Sequence, residues 1–228
     1  MDKLHEKTFP NESKEYRDAR NKLLQSEIDL RSQIEKVAEE RRGLPLGGKV
    51  KEDYIFEEMD NWGNIKETKL SELFAPGKDS LIIYSAMYGP NAKSPCPGCT
   101  AYVDGINGMI FHAEQNINYA VIAKAPIHKI EKWAETRNWK NVRLLSSLNN
   151  SFNTDYHAED SKGSQWPAQN VFVKKPDGVY HFHNAEMLYT KPFEGQDARH
   201  IELVEVLWNL FDYTPEGRPK KWDPKLNY

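Results

Sequence analysis

The sequence predicts an α/β fold with parallel strands at the centre of its sheet. Two continuous apolar runs, at residues 81–86 and 118–123, are bounded by Gly, Pro or polar residues, as is typical of strands buried on both faces. Helical patterns alternate with these strands. Near the C-terminus, two β-rich segments flank Lys175-Pro176-Asp177-Gly178, which predicts a hairpin of antiparallel edge strands. The predicted architecture is therefore a three-layer α/β/α fold with a mixed sheet.

A long helix is predicted before the sheet, over residues 14–42. Neither Gly nor Pro interrupts it until Gly43, and Arg41 and Arg42 suit the negative end of the helix dipole. Its apolar residues gather on one face, which needs cover from its own domain or from a neighbouring subunit. A homodimer through this helix is therefore one hypothesis. The residues of that face are Tyr16, Ala19, Leu23, Leu30, Ile34 and Val37.

Shorter elements are predicted on both sides of the apolar runs. Pro126 fits the first turn of a helix, and a polar loop of roughly residues 146–168 follows the third strand. The other predicted elements are a strand at 54–56, a turn at 61–64, a helical stretch capped by Ser71, the third strand at 141–145, the hairpin strands 170–174 and 179–183, and a closing helix at 202–211.

The chain has two cysteines, and they lie in the motif Cys96-Pro97-Gly98-Cys99 between the first apolar run and a predicted helix. The unpaired N–H groups and the positive end of the dipole at a helix N-terminus stabilise a thiolate. Pro97 fits the first turn, where its missing N–H costs nothing. We therefore predict a redox-active disulfide in which Cys96 is the nucleophile and Cys99 is the resolving thiol, with no organic cofactor.

Strand, CxxC motif and helix, in this order, are the layout of a thioredoxin-like fold. The long N-terminal helix is then an extension of that fold, and the polar loop is an insertion before the C-terminal β-hairpin. We predict an N-terminal helical arm at residues 1–48, a thioredoxin-like domain at 49–212 and a C-terminal tail at 213–228.

Composition excludes several classes of function. The net charge of −3 argues against nucleic-acid binding, which needs a strongly basic face. No apolar stretch reaches the roughly 18 residues that span a bilayer, so no membrane partner is expected. The N-terminus lacks the apolar core of a signal peptide, and two cysteines are few for a disulfide-stabilised secreted fold. We expect a soluble, cytoplasmic protein whose partners are a protein or small-molecule disulfide and an electron donor.

Two further residues are candidates for the surroundings of the dithiol. Asp104 is either a buried proton acceptor for Cys99 or a surface carboxylate near a helix end. Thioredoxin-like folds place a cis-proline opposite the CxxC motif, before a sheet strand, and Trp166-Pro167 has that place in this sequence. Pro167 is thus either a cis-proline that lines the dithiol or a trans-proline in a surface loop.

A metal site is the first alternative use of the dithiol. The CxxC motif supplies two of the four ligands of tetrahedral zinc, and His would have to supply the others. His181 and His183 alternate on a predicted strand and share a face, whereas His112 and His128 fall outside the spacing of paired ligands. The protein would then be a non-catalytic binding module with a metal-binding or inert dithiol.

Peroxiredoxin-like peroxide reduction is the second alternative. It needs a hydroxyl group and an Arg around the thiolate, and the hydroxyl residue is typically three positions before the Cys. Lys93 has that position here, and Ser94 is one residue closer. Arg143 and Arg199 are distant in sequence and would have to fold towards the thiolate. The sequence therefore favours disulfide chemistry over peroxide chemistry.

Short motifs with a fixed order extend along almost the whole chain. They are Tyr16-Arg17-Asp18-Ala19-Arg20, Arg41-Arg42-Gly43-Leu44-Pro45, Leu81-Ile82-Ile83-Tyr84, Cys96-Pro97-Gly98-Cys99 with Asp104-Gly105, Ala125-Pro126, Phe152-Asn153-Thr154-Asp155-Tyr156, Val179-Tyr180-His181 and Leu210-Phe211-Asp212-Tyr213-Thr214-Pro215. In this order they resemble the thioredoxin-like domain-of-unknown-function family 899, described as predicted dithiol-disulfide oxidoreductases. The resemblance implies a thioredoxin-like fold and a thiol redox role.

Overall fold

The computed structural model describes residues 4–191, 194, 206–219 and 221–228. Its contacts divide the chain into two units, Met1–Pro45 and Leu46–Tyr228. The predicted domain boundaries, after residues 48 and 212, stay a prediction. Across the described ranges, no helix is both long and apolar enough to cross a membrane.

The first unit contains helix α1, Lys14–Arg42, which confirms the predicted N-terminal helix. It begins after Ser13, whose hydroxyl oxygen accepts a hydrogen bond from the Tyr16 N–H at 3.1 Å. This bond satisfies one of the N–H groups that the first turn leaves unpaired. The predicted apolar face of α1 is exposed at Leu23, Leu30 and Ile34. Its role in a homodimer stays a prediction.

The second unit is built on a mixed sheet, and the described residues contribute seven strands to it. Its centre is parallel, because β3 pairs in parallel with β4 and β4 pairs in parallel with β5. Antiparallel pairs flank the centre on both sides. The strands are β1 (Ile55–Met59), β2 (Ile65–Lys69), β3 (Ser80–Ala86), β4 (Asn118–Ala123), β5 (Leu144–Ser146), β6 (Ala168–Lys175) and β7 (Gly178–Asn184), in the order β2-β1-β5-β4-β3-β6-β7.

Helices α2 and α3 cover one face of this sheet, and the short helical segments at Leu70–Leu73 and Phe152–Asp155 lie on the other. Parallel strands require crossover connections, and these are right-handed. The chain moves in one direction from β3 to β4 to β5, so the two crossover helices lie on the same face. The helices of this unit are α2 (Pro97–Ala113), α3 (Ile127–Arg137), α4 (Phe152–Asp155) and α5 (Val206–Asp212), with 3-10 turns at Leu70–Leu73 and Glu186–Leu188.

Alternation along the central strands divides the core into two clusters. On β3, Tyr84 packs with α2 and α3 on one face, whereas Leu81 and Ile83 pack with Phe56 and Phe152 on the other. This alternation is the two-residue period of a strand. Both faces are buried, as the apolar runs predicted. The layers, the mixed sheet and the N-terminal helix confirm the thioredoxin-like α/β class.

Four elements differ from the sequence predictions. The helical stretch predicted to be capped by Ser71 is a 3-10 turn, Leu70–Leu73, whose N-cap is Lys69, so Ser71 lies within it. Strand β2 was not predicted, because its alternation is weak and only Thr68 within it is buried. The predicted polar loop at 146–168 contains α4 and a β-bridge between Glu159 and Gln165. The third strand is shorter than predicted. Residues 202–205 of the predicted closing helix lie outside the described residues, and α5 covers the rest.

Candidate functional site

Cys96 lies at the junction between the loop after β3 and the first turn of α2. It is the N-cap residue, with extended backbone angles, and Pro97 occupies the first helical position. Proline fits there because its fixed φ suits the helix and its missing N–H would have no partner in any case. The backbone N–H of Cys99 donates to Cys96 Sγ at 3.4 Å. Cys96 therefore caps α2 with its sulfur.

This position changes the acidity of Cys96. The Cys99 thiol donates a hydrogen bond to the Cys96 sulfur, and the N–H groups of Cys99 and Gly98 also point at it. These donors outweigh the opposing effect of burial and lower the pKa of Cys96 to about 6. At neutral pH, Cys96 is therefore mainly a thiolate, the form that reacts with disulfides.

Cys99 is one helical turn further on and is buried. Its hydrogen bond to Cys96 and its burial raise the pKa of the Cys99 thiol well above the usual value. Two donors point at its sulfur, namely the Met87 N–H at 3.4 Å and the hydroxyl of the buried Tyr84. Cys99 is therefore a protonated thiol at rest. If it loses its proton, the same two donors would hydrogen-bond the thiolate.

The loop between β3 and α2 fixes the two sulfurs in place. The backbone N–H of Cys96 donates to the Met87 carbonyl oxygen at 3.0 Å, while the Met87 N–H donates to Cys99 Sγ. Both backbone groups of Met87 are therefore hydrogen-bonded to the two cysteines. At the start of α2, the Thr100 hydroxyl donates to the Cys96 carbonyl oxygen at 2.8 Å.

The dithiol opens into a pocket of about 370 Å³, which we call the dithiol pocket. Most of its lining is apolar, and Asp223 is the one charged residue among the described lining residues. Its walls come from the sheet, from α2, from α5 and from the C-terminal tail. Its lining includes Tyr84, Ala101, Pro167, Leu188, Trp208 and Pro224.

Pro167 lines this pocket together with Cys96, Pro97 and Cys99. It lies directly before β6, where Ala168 pairs with Ser85 of β3. The Trp166–Pro167 bond is trans, so the hypothesis of a cis-proline is wrong, although Pro167 does line the pocket of the dithiol. The chain enters β6 without a tight turn, and the trans form is the lower in energy.

Asp104 is not a proton acceptor for Cys99. Its carboxylate pairs with the Arg137 guanidinium and accepts a hydrogen bond from Trp139 Nε1 at 2.8 Å. Asp104 is five positions after Cys99 on the helix, a rotation of about 140° around the helix axis. Asp104 therefore faces α3 and its C-terminal end, and it joins α2 to α3.

The histidines considered as zinc ligands lie elsewhere. His181 lines a different pocket, where its Nε2 is 3.0 Å from Asn170 Oδ1 and its ring stacks on Tyr156. His183 is two residues along the same strand. Across the described residues, no group of three or more His, Cys, Asp or Glu side chains is placed to hold a metal ion.

The residues considered for peroxide binding are also away from the dithiol pocket. Lys93 and Ser94 line another pocket, beside Trp133. The Arg143 guanidinium donates two hydrogen bonds to Glu58, at 2.8 and 2.9 Å. Glu58 is on β1, and β5 and β4 lie between β1 and the strand β3 that leads to the dithiol. Arg199 lies outside the described residues.

Sequence reasoning missed the residues that enclose the dithiol. Tyr84 was assigned only to a buried strand, although it is on the strand that leads to the CxxC motif. Trp208 and Pro224 come from segments more than a hundred residues further along the chain. The periodicity of a helix or a strand does not show which of its residues will face a distant motif.

The chain was compared with protein families, curated proteins and solved structures. A family model described as "Bacterial protein of unknown function (DUF899)" matches residues 6–228. The comparison with curated proteins found no match.

Solved structures that are similar include three from the peroxiredoxin class. Reduced 2-Cys peroxiredoxin of Plasmodium vivax has 13% identity and a TM-score of 0.46, with coverage of 74% of this chain and 99% of that chain. Reduced Prx3 of Vibrio vulnificus, in complex with hydrogen peroxide, has 12% identity, a TM-score of 0.47 and coverage of 72% and 94%. Peroxidoxin BcpB of Mycobacterium tuberculosis has 21% identity, a TM-score of 0.42 and coverage of 72% and 95%.

Proposed function

The chain belongs to the DUF899 family of bacterial proteins of unknown function, and we propose that it is a thiol-disulfide oxidoreductase. Cys96 is its nucleophile and Cys99 its resolving thiol. One observation carries this proposal: a thiolate with a pKa of about 6 caps α2 and accepts a hydrogen bond from a buried, protonated thiol. The two sulfurs thus differ in the way that a two-step exchange requires.

In the first step, the Cys96 thiolate attacks one sulfur of the substrate disulfide. A bond forms between Cys96 Sγ and that sulfur, the substrate S–S bond breaks, and the other substrate sulfur leaves as a thiolate. The low pKa of Cys96 provides the attacking thiolate at neutral pH. Because Cys99 is protonated and buried, it does not compete in this step.

In the second step, Cys99 releases the substrate. Its proton passes to the departed thiolate, and the resulting Cys99 thiolate attacks Cys96 Sγ within the mixed disulfide. The second substrate sulfur leaves as a thiolate that takes its proton from water, and Cys96 and Cys99 end as a disulfide that has given two electrons to the substrate. The Met87 N–H and the Tyr84 hydroxyl stabilise the thiolate at Cys99. An external thiol reductant then restores the dithiol.

Disulfide reduction by three forms of the full chain tests this proposal. The wild-type protein should reduce a small disulfide in the presence of dithiothreitol. Cys96→Ser should lose the reaction, and Cys99→Ser should stop at a mixed disulfide that mass spectrometry detects. Circular dichroism controls for folding of each variant. Unchanged activity of Cys96→Ser would overturn the proposal.

Peroxide reduction is the second candidate, because the same thiolate could be oxidised by a peroxide. The Cys96 thiolate would attack one peroxide oxygen and become a sulfenic acid, while the O–O bond breaks and the other oxygen leaves as water or an alcohol, and Cys99 would then condense with the sulfenic acid to form the disulfide and water. The contact between the two sulfurs favours that condensation. We propose disulfide exchange ahead of it because Arg143 pairs with Glu58 and the described lining of the dithiol pocket includes no Arg. A rate constant with hydrogen peroxide above that with disulfides would reverse this order.

A non-catalytic binding module is the third candidate. It requires either a metal bound by the dithiol or two unreactive thiols. Metal analysis of the purified protein, with a thiol count before and after reduction, separates this candidate from the first two. A stoichiometric metal with neither thiol reactive would support the binding module.

A further inference from the structure

The structure of the dithiol pocket points to a substrate class, and this inference rests on the proposed function. We propose that Cys96 reacts preferentially with small, neutral, apolar disulfides, with aromatic or alkyl groups on the sulfurs. Charged peptide disulfides, such as glutathione disulfide, would be poor substrates.

The first reason is enclosure. Cys96 is only partly exposed, and the pocket in front of it has walls from four parts of the unit. Pro167 stands beside the sheet, Leu188 follows the hairpin, Trp208 is on α5 and Pro224 is in the tail. A volume of about 370 Å³ is at the small end of the range for small-molecule pockets. It suits a compact molecule better than a loop of a folded protein.

The second reason is the polarity of the walls. Transfer of a charged group from water to an apolar site is costly unless a partner of opposite charge receives it. The described lining includes no Lys, Arg or His, so it offers no cation to a carboxylate. Its charged member is Asp223, which repels anions. A dicarboxylate disulfide would therefore lose its hydration without compensation from the described lining.

The third reason is that the Trp208 ring, which forms part of the pocket wall, is held in place by its neighbours. The Trp208 ring lies 6.0 Å from that of Phe211 and 6.2 Å from that of Trp222, centroid to centroid. The guanidinium carbon of Arg218 is 5.7 Å from the centroid of the Trp208 ring. A large ring held by neighbours offers packing area to an aryl or alkyl group at little entropic cost.

The reaction with such a substrate follows the two steps given above. The neutral disulfide receives two electrons from the dithiol, one proton from Cys99 and one from water, and it leaves as two thiols, while the protein is left with the Cys96–Cys99 disulfide. The apolar group of the sulfur that is bonded to Cys96 stays in the pocket through the mixed-disulfide stage. It shields the Cys96 sulfur from water until Cys99 attacks.

A pair of chromogenic disulfides tests this selectivity on the full chain. Dipyridyl disulfide is neutral near pH 7, whereas dithiobis(nitrobenzoate) carries two carboxylates. The rate constant of reduced protein with each is divided by that of N-acetylcysteine, which removes the intrinsic reactivity of the probe. We expect the normalised rate to be at least about tenfold higher for the neutral probe. Equal normalised rates, or a preference for the dianion, would overturn the inference.

The pair of probes is the first arm of the test, and a charge placed in the pocket wall is the second. Ala101 lines the pocket on α2 and is half-buried, so a longer side chain can extend towards the opening. Ala101→Lys should reduce the preference for the neutral probe by about tenfold, because the ammonium receives a carboxylate. Ala101→Met has a similar length without the charge and should keep the wild-type preference. The same ratio in both variants would contradict the inference.

The two arms separate this inference from the proposed function. If both probes react at Cys96 with equal normalised rates, the selectivity is wrong and the oxidoreductase remains. If neither probe reacts at Cys96, both are wrong. Titration calorimetry of the Cys96→Ser, Cys99→Ser double variant with diphenyl disulfide gives a readout without turnover. Binding supports the inference, and its absence contradicts it.

Discussion

The backbone N–H of Cys99 donates a hydrogen bond to Cys96 Sγ at 3.4 Å, so the second cysteine of the motif supports the first as an anion. The Cys99 side chain adds a second bond to the same sulfur. A spacing of three residues brings both groups to Cys96 within the first turn of α2. The low pKa of Cys96 and the protonated state of Cys99 therefore both depend on contacts at the N-terminus of α2.

The first prediction concerns the pH dependence of alkylation at Cys96. The rate with iodoacetamide should follow the thiolate fraction, with its midpoint near pH 6. Below the midpoint, the rate should fall about tenfold per pH unit, since protonation removes the reactive form. Peptide mapping assigns the adduct to Cys96. A midpoint near 8.5, the usual value for a free thiol, would show that the helix N-terminus does not stabilise the anion.

The second prediction concerns the hydroxyl of Tyr84. Tyr84→Phe should slow release of the mixed disulfide by about tenfold, because a hydrogen bond to the Cys99 thiolate is lost. The first step, measured with Cys99→Ser in the background, should change much less. Tyr88→Phe is the matched control, since it removes a tyrosine hydroxyl from the other side of the loop, where Tyr88 packs on Trp133. Equal effects on both steps would contradict a role at Cys99.

The third prediction separates Asp104 from the dithiol. Asp104→Asn should lower the free energy of unfolding by about 1 to 3 kcal/mol, because it weakens the bonds from Arg137 and Trp139. Its rate of disulfide reduction should remain within about twofold of the wild-type rate. Urea unfolding and a rate measurement on the same sample check both parts. A large loss of rate at normal stability would restore the hypothesis of a proton acceptor.

The fourth prediction concerns the pair of Arg143 and Glu58. Burial alone would raise the pKa of Glu58, but hydrogen bonds from Arg143 and Thr68 outweigh it and lower the pKa to about 2. The stability that this carboxylate contributes is present above its unfolded value of 4.5 and is lost as the pH falls towards 2. Arg143→Met should therefore cost about 1 to 2 kcal/mol at pH 7, since Thr68 and Lys66 still hold Glu58 and Arg143 is partly exposed, and less as the pH falls through 4.5.

Lys66→Met is the control for that pair. Lys66 also contacts Glu58, at 3.2 Å, but its side chain is 58% exposed, so its loss should cost less than about 1 kcal/mol. Equal costs for the two variants would show that Arg143 is not the main partner. A strong loss of redox rate in Arg143→Met, beyond its loss of stability, would indicate a role for Arg143 at the dithiol.

Local pattern was sufficient to predict the central strands and the two thiols. Residues 118–123 were predicted as a buried strand, and β4 has these bounds, because a strand buried on both faces reads as a continuous apolar run. Cys96 was predicted at a helix cap because Pro97 marks the first turn, and that is its place. Both features depend on residues that are adjacent in sequence.

Features that depend on distant residues could not be predicted in this way. Asp104 could have been a surface carboxylate or a partner of Cys99, and the choice depended on Arg137 and Trp139, which are on another element. The position of Trp208 in the pocket wall likewise depends on the tertiary fold, because α5 is distant in sequence from the CxxC motif. Pro167 lines the pocket with a trans peptide bond, and not with the cis bond of the hypothesis. Its place there follows from β6, which begins directly after it.

The site of adduct formation in the two single-cysteine variants tests the central claim most directly. Cys99→Ser and Cys96→Ser are each exposed to dipyridyl disulfide at pH 7, and stopped-flow absorbance gives the rate while intact mass and peptide mapping give the position. We predict a rapid, stable adduct at Cys96 in the first variant. The second should react at least about a hundredfold more slowly, because the Cys99 thiol is buried and protonated. Equal rates in the two variants, or faster reaction at Cys99, would contradict the assignment of nucleophile and resolving thiol.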